Sequence, residues 1–204
     1  MPAVVDAPAR STSHRVARIT TEVFAPAVFA AAMPLIIALR STAPAIAAGI
    51  GWALLAIFFC SVVPYGIIWL GVRRGRLTDH HIGVREQRRM PLVYGLLSVL
   101  VGLALLILVG APRALVAMVV VMFAVLLIVT AINQAWKLSA HAAVAAGSVS
   151  VLVIVFGPAL VPAAALVALV GWSRVRLGDH TVSQVVAGAC AGLLIAAPTY
   201  LLLS

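Results

Sequence analysis

Residues 142–172 run for 31 positions without a charged side chain, and shorter uncharged runs occupy 23–39, 41–72, 92–112, 114–136 and 185–203. About 20 apolar residues in a helix cross a hydrocarbon core, and every backbone polar group inside it must be satisfied within the segment. Runs of this number and length therefore imply an all-α, polytopic transmembrane bundle of six to seven helices. The composition agrees: 64% of the side chains are hydrophobic and 9% charged, against roughly 45–50% and about 25% in soluble domains. No linker divides the chain, so one transmembrane domain is expected over 22–204, behind a flexible basic tail over 1–21. Cys60 and Cys190 lie far apart in apolar runs and read as packing residues.

The long run decides the topology. As one helix it would reach roughly 46 Å, well beyond a ~30 Å core. Gly157-Pro158 and Pro162 break the helical pattern near its middle, where a turn is easily made. Two antiparallel helices, about 139–156 and 160–174, are therefore expected. The N-terminus, the loop 73–91, the segment Lys137–His141 and the segment Ser173–Gln184 then share one face, with twelve of the fourteen Lys and Arg residues; Arg40 and Arg113 lie opposite. The positive-inside rule makes that face cytoplasmic, and the plasma membrane is the expected location.

A net charge of +9 would suggest nucleic acid in a soluble protein. Here the basic residues sit between apolar spans without interleaved stacking aromatics, so membrane lipids and a phosphate-bearing substrate are the expected partners, and nucleic acid is not. The polar groups are concentrated in three islands. One runs from Arg73 to Pro91 and holds Asp79, His80, His81, Arg85, Arg88 and Arg89. The second is Asn133–His141, with Lys137 and Ser139. The third is Ser173–Gln184, with Arg174 and His180. Ionisable groups at a membrane boundary are costly and mark function by default. Arginine forks and a lysine point charge suit phosphate oxygens, and histidine suits phosphorus attack or proton donation near neutral pH.

These islands resemble the motifs of the type 2 phosphatidic acid phosphatase (PAP2) superfamily, a group of histidine phosphatases often integral to membranes. Its motifs are Lys, six residues, then Arg-Pro; Pro-Ser-Gly-His; and Ser-Arg, five residues, His, three residues, Asp. The third is matched by Ser173-Arg174 and His180, the second by Leu138-Ser139-Ala140-His141, and the first loosely by Arg88-Arg89-Met90-Pro91. The resemblance implies that His180 attacks phosphorus, giving a phosphohistidine, and that His141 protonates the leaving oxygen. Arg174, one or more of Arg85, Arg88 and Arg89, and Lys137, Ser139 and Ser173 would bind the phosphoryl group, with no metal or other cofactor required. Gln184 stands where the family carries the Asp that orients the nucleophile, and Asp179 or Asp79 are alternatives for that role.

The implied activity is hydrolysis of lipid phosphates or diphosphates, such as polyprenyl (di)phosphates or phosphatidic acid. Transfer to an alcohol is an alternative fate of the phosphohistidine. The rival class is a non-catalytic membrane protein on the same scaffold that binds or carries an anionic lipid, and Gln184 is its main support. His80-His81 with Asp79 lacks a third metal ligand of suitable spacing, so no metal site is expected.

Overall fold

The computed structural model describes residues 11–204, and every regular element among them is helical. There are eight helices: α1 (Thr12–Val23), α2 (Pro26–Thr42), α3 (Ile46–Arg73), α4 (Arg89–Leu108), α5 (Arg113–Asn133), α6 (Ala140–Phe156), α7 (Ala164–Arg176) and α8 (Val182–Leu203). Helices α2–α8 correspond to the six apolar runs, the run 142–172 supplying both α6 and α7.

The first helix corrects the sequence expectation. Residues 1–10 of the expected tail lie outside the described residues, but from Thr12 onward the chain is helical and packs along α7. Its inward face is Ala17, Thr20 and Thr21, small or hydroxylated side chains that give no apolar periodicity. The contact is polar: the Thr21 and Ser173 hydroxyls lie 3.1 Å apart, and the Arg176 guanidinium donates to the hydroxyls of Ser11 and Ser13.

Helix α5 is the axis of the bundle. One apolar cluster joins it to α2, α6 and α8 through Met33, Ile37, Met118, Val125, Ala143 and Tyr200; another joins it to α2, α3 and α4 through Ala38, Ala56, Val99, Leu106 and Leu115. Five segments have the length and apolarity of membrane spans, and α1 with α2 forms a further candidate bent by 44°. Helix α3 contains Pro64 without breaking, because a π-helical turn at Phe58–Val62 precedes it. The Ser98 hydroxyl donates to the Phe59 carbonyl there at 2.6 Å, supplying a partner from α4 for the disturbed ladder.

The turn that brings α7 back is built as expected. Gly157 adopts φ +94°, a region that L side chains rarely enter, and Pro158 opens a short 3-10 segment to Ala163;. The most extensive helix–helix contact is α6 against α8. A Cβ on Gly188 would lie 2.5 Å from the Ser139 carbonyl oxygen, and one on Gly192 would meet the backbone of Ala143. The two glycines therefore pack helices within the chain, letting the backbones approach as small residues do in lipid. Because α6 begins with Ser139–His141 and α8 with His180–Gln184, this approach brings the second and third islands together. Cys60 is buried, whereas Cys190 is exposed on the outer face of α8.

Candidate active site

At one end of the bundle Arg88, His141, Arg174 and His180 are each less than one-tenth exposed. His80, His81, Arg88, Asn133, His141 and His180 line a single cavity of about 1100 Å³ that continues between α2, α3, α4, α5 and α6. Away from that polar end its walls are apolar, including Met33, Leu92, Val99, Met122 and Val125. Val28 and Leu35 of α2 and Val62, Tyr65 and Trp69 of α3 also line it and are exposed, so the cavity opens sideways between α2 and α3.

His180 precedes α8 in a turn made by Gly178 (φ +74°), with the amides of Asp179 and His180 donating to the Arg174 carbonyl at 3.1 and 3.3 Å. Thr181 and Gln184 form a capping box: the Thr181 hydroxyl accepts from the Gln184 amide, and Gln184 Oε1 accepts from the Thr181 N–H at 3.2 Å;. A backbone N–H can only donate, so the atom facing it is the amide oxygen. The same oxygen lies 3.2 Å from His180 Nδ1. An amide oxygen only accepts, so Nδ1 carries the proton and Nε2 keeps its lone pair. Burial, reinforced by the charges of Arg88, Arg174 and Lys137, pushes the His180 pKa down to about 3, with the Gln184 bond working weakly the other way;. The imidazole is therefore neutral at physiological pH, the form that can attack an electrophile.

His141 is the second residue of α6, whose N-cap Ser139 is fully buried and accepts from the Ala142 N–H at 3.4 Å. The Ser139 N–H in turn donates to the Gln184 carbonyl at 3.3 Å, a direct tie between the two histidine segments. His141 Nε2 is buried and has no hydrogen-bond partner among the described residues; the same holds for Nε and Nη1 of Arg174. Arg174 Nη2 pairs with Asp179 at 3.0 Å. Buried donors of this kind are normally satisfied, and a polyanion at the polar end of the cavity would satisfy them. Both histidines stand at helix N-termini, where dipoles and free amides favour negative charge.

Of the three candidate arginines in the first island, only Arg88 turns inward. Its Nε donates to the Ile82 carbonyl at 2.8 Å and Nη1 to Asn133 Oδ1 at 3.1 Å. Arg85 reaches Glu86 and the Gln134 carbonyl, and Arg89 is exposed. Lys137 is half-buried, its pKa lowered by desolvation and then by Arg88, as expected of a cation beside the cluster. The Ser173 hydroxyl donates to the Val170 carbonyl at 2.7 Å and meets Thr21, so it joins α7 to α1 and does not line the cavity. Neither alternative acid touches His180. Asp179 holds Arg174, and Asp79 accepts from the Gly83 N–H and the Thr78 hydroxyl.

Two participants were not among the residues expected at the phosphate site. Asn133 anchors Arg88. His81 lies with its ring centroid 5.2 Å from that of His141. A signal for His81 existed: it stands seven positions before Arg88, the offset of lysine from arginine in the first motif.

An apolar helical bundle with buried arginines and histidines gathered at the polar end of a laterally open cavity has the character of an integral membrane protein with a candidate histidine site. The family model of the PAP2 superfamily matches residues 114–204, which carry α5–α8 and the second and third motifs. The match, over somewhat less than half of the chain, is consistent with a PAP2 superfamily membrane protein, a family generally of phosphatases. Neither among curated proteins nor among solved structures does the chain have a match.

Proposed function

We propose that the protein is a metal-independent lipid phosphate or diphosphate phosphatase that works through a phosphohistidine. The observation that carries this reading is the placement of neutral His180, with Nε2 free among the described residues, and of the unpartnered His141 Nε2 at the polar end of a membrane-lodged apolar cavity, with the unpartnered donors of buried Arg174 near enough for its charge to act on His180.

In this reading the lipid tail occupies the apolar cavity and the phosphate lies among Arg88, Arg174 and the two helix N-termini. His180 Nε2 attacks phosphorus in line with the ester or anhydride oxygen. The phosphorus–oxygen bond breaks, and His141, held as the imidazolium by the bound polyanion, delivers its proton to the departing oxygen and is left neutral. Negative charge on the equatorial oxygens is met by the guanidinium groups, which are already in place and need little reorganisation. Gln184 holds the Nδ1 proton while the imidazole takes on positive charge. Water, deprotonated by His141, then attacks the phosphohistidine and releases inorganic phosphate, returning His180 to its neutral form.

The length and apolarity of the cavity favour polyprenyl (di)phosphates over short-chain esters, with phosphatidic acid as a further candidate. The excess of basic residues at the site end favours a cytoplasmic orientation, most simply in the plasma membrane.

The test is phosphate release from polyprenyl and diacyl lipid phosphates by detergent-purified protein. Hydrolysis is expected to persist in chelator and to disappear in His180→Ala. Hydrolysis unchanged in that variant removes the nucleophile assignment, and absence of hydrolysis with either lipid class favours the non-catalytic anionic-lipid binder.

A further inference from the structure

The last turn of α1 carries Glu22, whose carboxylate meets two adjacent histidines from the loop between α3 and α4. His80 Nε2 lies 3.1 Å from Oε2 and 3.2 Å from Oε1, and His81 Nε2 lies 3.0 Å from Oε1. One ligand-type atom from each residue lies within 4.8 Å of the other two. The three residues come from elements 58 positions apart in the chain, so no local spacing announces the cluster.

In a regular helix or strand, neighbouring side chains diverge. This loop prevents that. Ile82 is buried in the left-handed region (φ +49°), and its carbonyl is held by Arg88 Nε at 2.8 Å. Asp79 closes the preceding turn on the Gly83 N–H at 3.0 Å. Both imidazoles therefore project to one side, with ring centroids 4.2 Å apart. A left-handed non-glycine residue is uncommon, and such outliers cluster at functional sites.

Two imidazoles that aim Nε2 at one carboxylate form the donor set of a borderline-soft divalent cation;. Ligand bonds of about 2.0–2.2 Å at a tetrahedral centre place neighbouring donor atoms roughly 3.3 Å apart, close to the 3.1 and 3.0 Å between the carboxylate and the two imidazoles.

We propose that Glu22, His80 and His81 form a binding site for one divalent transition-metal ion, with zinc the best fit, at the mouth of the cavity. The ion clips α1 to the loop that carries Arg88. All three ligands line the cavity, so the fourth position faces it and takes water or a phosphate oxygen. The ion does not enter the displacement at His180, and the proposal does not depend on the catalytic reading.

Purified full-length protein, stripped with chelator, is titrated with zinc by calorimetry, with cobalt as a spectroscopic probe. The expected result is one zinc ion per chain, a rise in Tm on binding, and four-coordinate d–d absorption with cobalt. Glu22→Gln and His80→Ala, both at exposed positions, are expected to weaken zinc about tenfold or more. Absence of saturable one-to-one binding overturns the proposal, as does wild-type affinity in both variants. Phosphate release from the same stripped samples reports on His180 separately, so failure of one reading is distinguishable from failure of the other.

Discussion

Gln184 offers the most direct test of how this site works. Its side-chain oxygen accepts two hydrogen bonds, from the Thr181 N–H and from His180 Nδ1, each at 3.2 Å. In Gln184→Leu both are lost. The helix start loses part of its cap, worth about 1 kcal/mol, and the imidazole is free to place its proton on Nε2, the tautomer that cannot attack. Partners that orient a reactive histidine are worth about 10–100-fold in activity, so hydrolysis is expected to fall by that amount while the fold survives. Gln184→Glu keeps the length and both acceptor contacts and adds charge. Hydrogen bonds to an ionised group are about twice as strong as neutral ones, so roughly 1–2 kcal/mol of extra stabilisation becomes available as the imidazole turns cationic. That corresponds to about a tenfold faster chemical step, with the His180 pKa raised from about 3. The assay is single-turnover phosphate release in mixed micelles across pH, which isolates chemistry from product release. A Gln184→Leu enzyme with the wild-type rate refutes the argument, as does a Gln184→Glu enzyme with no faster chemical step.

Arg88→Lys is expected to lower kcat/KM about 10–100-fold, since one ammonium cannot hold both Ile82 and Asn133 and still face a phosphate, whereas Arg89→Lys at its exposed neighbour should be silent in the same assay. Gly192→Ala drives a Cβ into the Ala143 backbone, which cannot yield as a side chain can; about 1–3 kcal/mol of destabilisation is expected in detergent unfolding, with activity lost in parallel. Gly66→Ala, where nothing lies within 4 Å, should be neutral or up to about 1 kcal/mol stabilising. His180 is neutral when folded down to a pKa of about 3 but takes a proton near pH 6.5 when unfolded. Its full contribution is therefore present above about pH 6.5 and is lost at roughly 1 kcal/mol per pH unit as the pH falls toward 3. Tm profiles of wild type and His180→Asn should converge at neutral pH and separate on acidification.

Most of the bundle was legible because lipid imposes a coarse constraint: uncharged runs of the right length must be helices, and Gly157-Pro158 could only be the turn of an overlong run. The N-terminal helix was not legible, because a helix that packs through Ala17, Thr20 and Thr21 looks polar all round. At the site, His141, Arg174 and His180 were marked by short-range spacing. The choice of Arg88 over Arg85 and Arg89 was not, since it depends on the direction each residue takes in a 3-10 turn and on Asn133, 45 positions away. The partner of His180 was written locally, as Thr181-Val182-Ser183-Gln184, a capping-box pattern. Glu22 beside His80 and His81 is a long-range meeting with no local trace.

Under the proposed lipid-phosphatase function, the sideways opening between α2 and α3 changes what concentration means for this protein. A lipid that enters from the bilayer searches in two dimensions, so the encounter rate follows its mole fraction in the membrane and not its amount per volume of buffer. Adding inert detergent or phospholipid at constant substrate dilutes the surface and slows turnover without touching the site. Saturation curves acquire molecular meaning only when expressed per unit of surface, and a cell can tune flux through such a cavity by changing the composition of the surrounding leaflet.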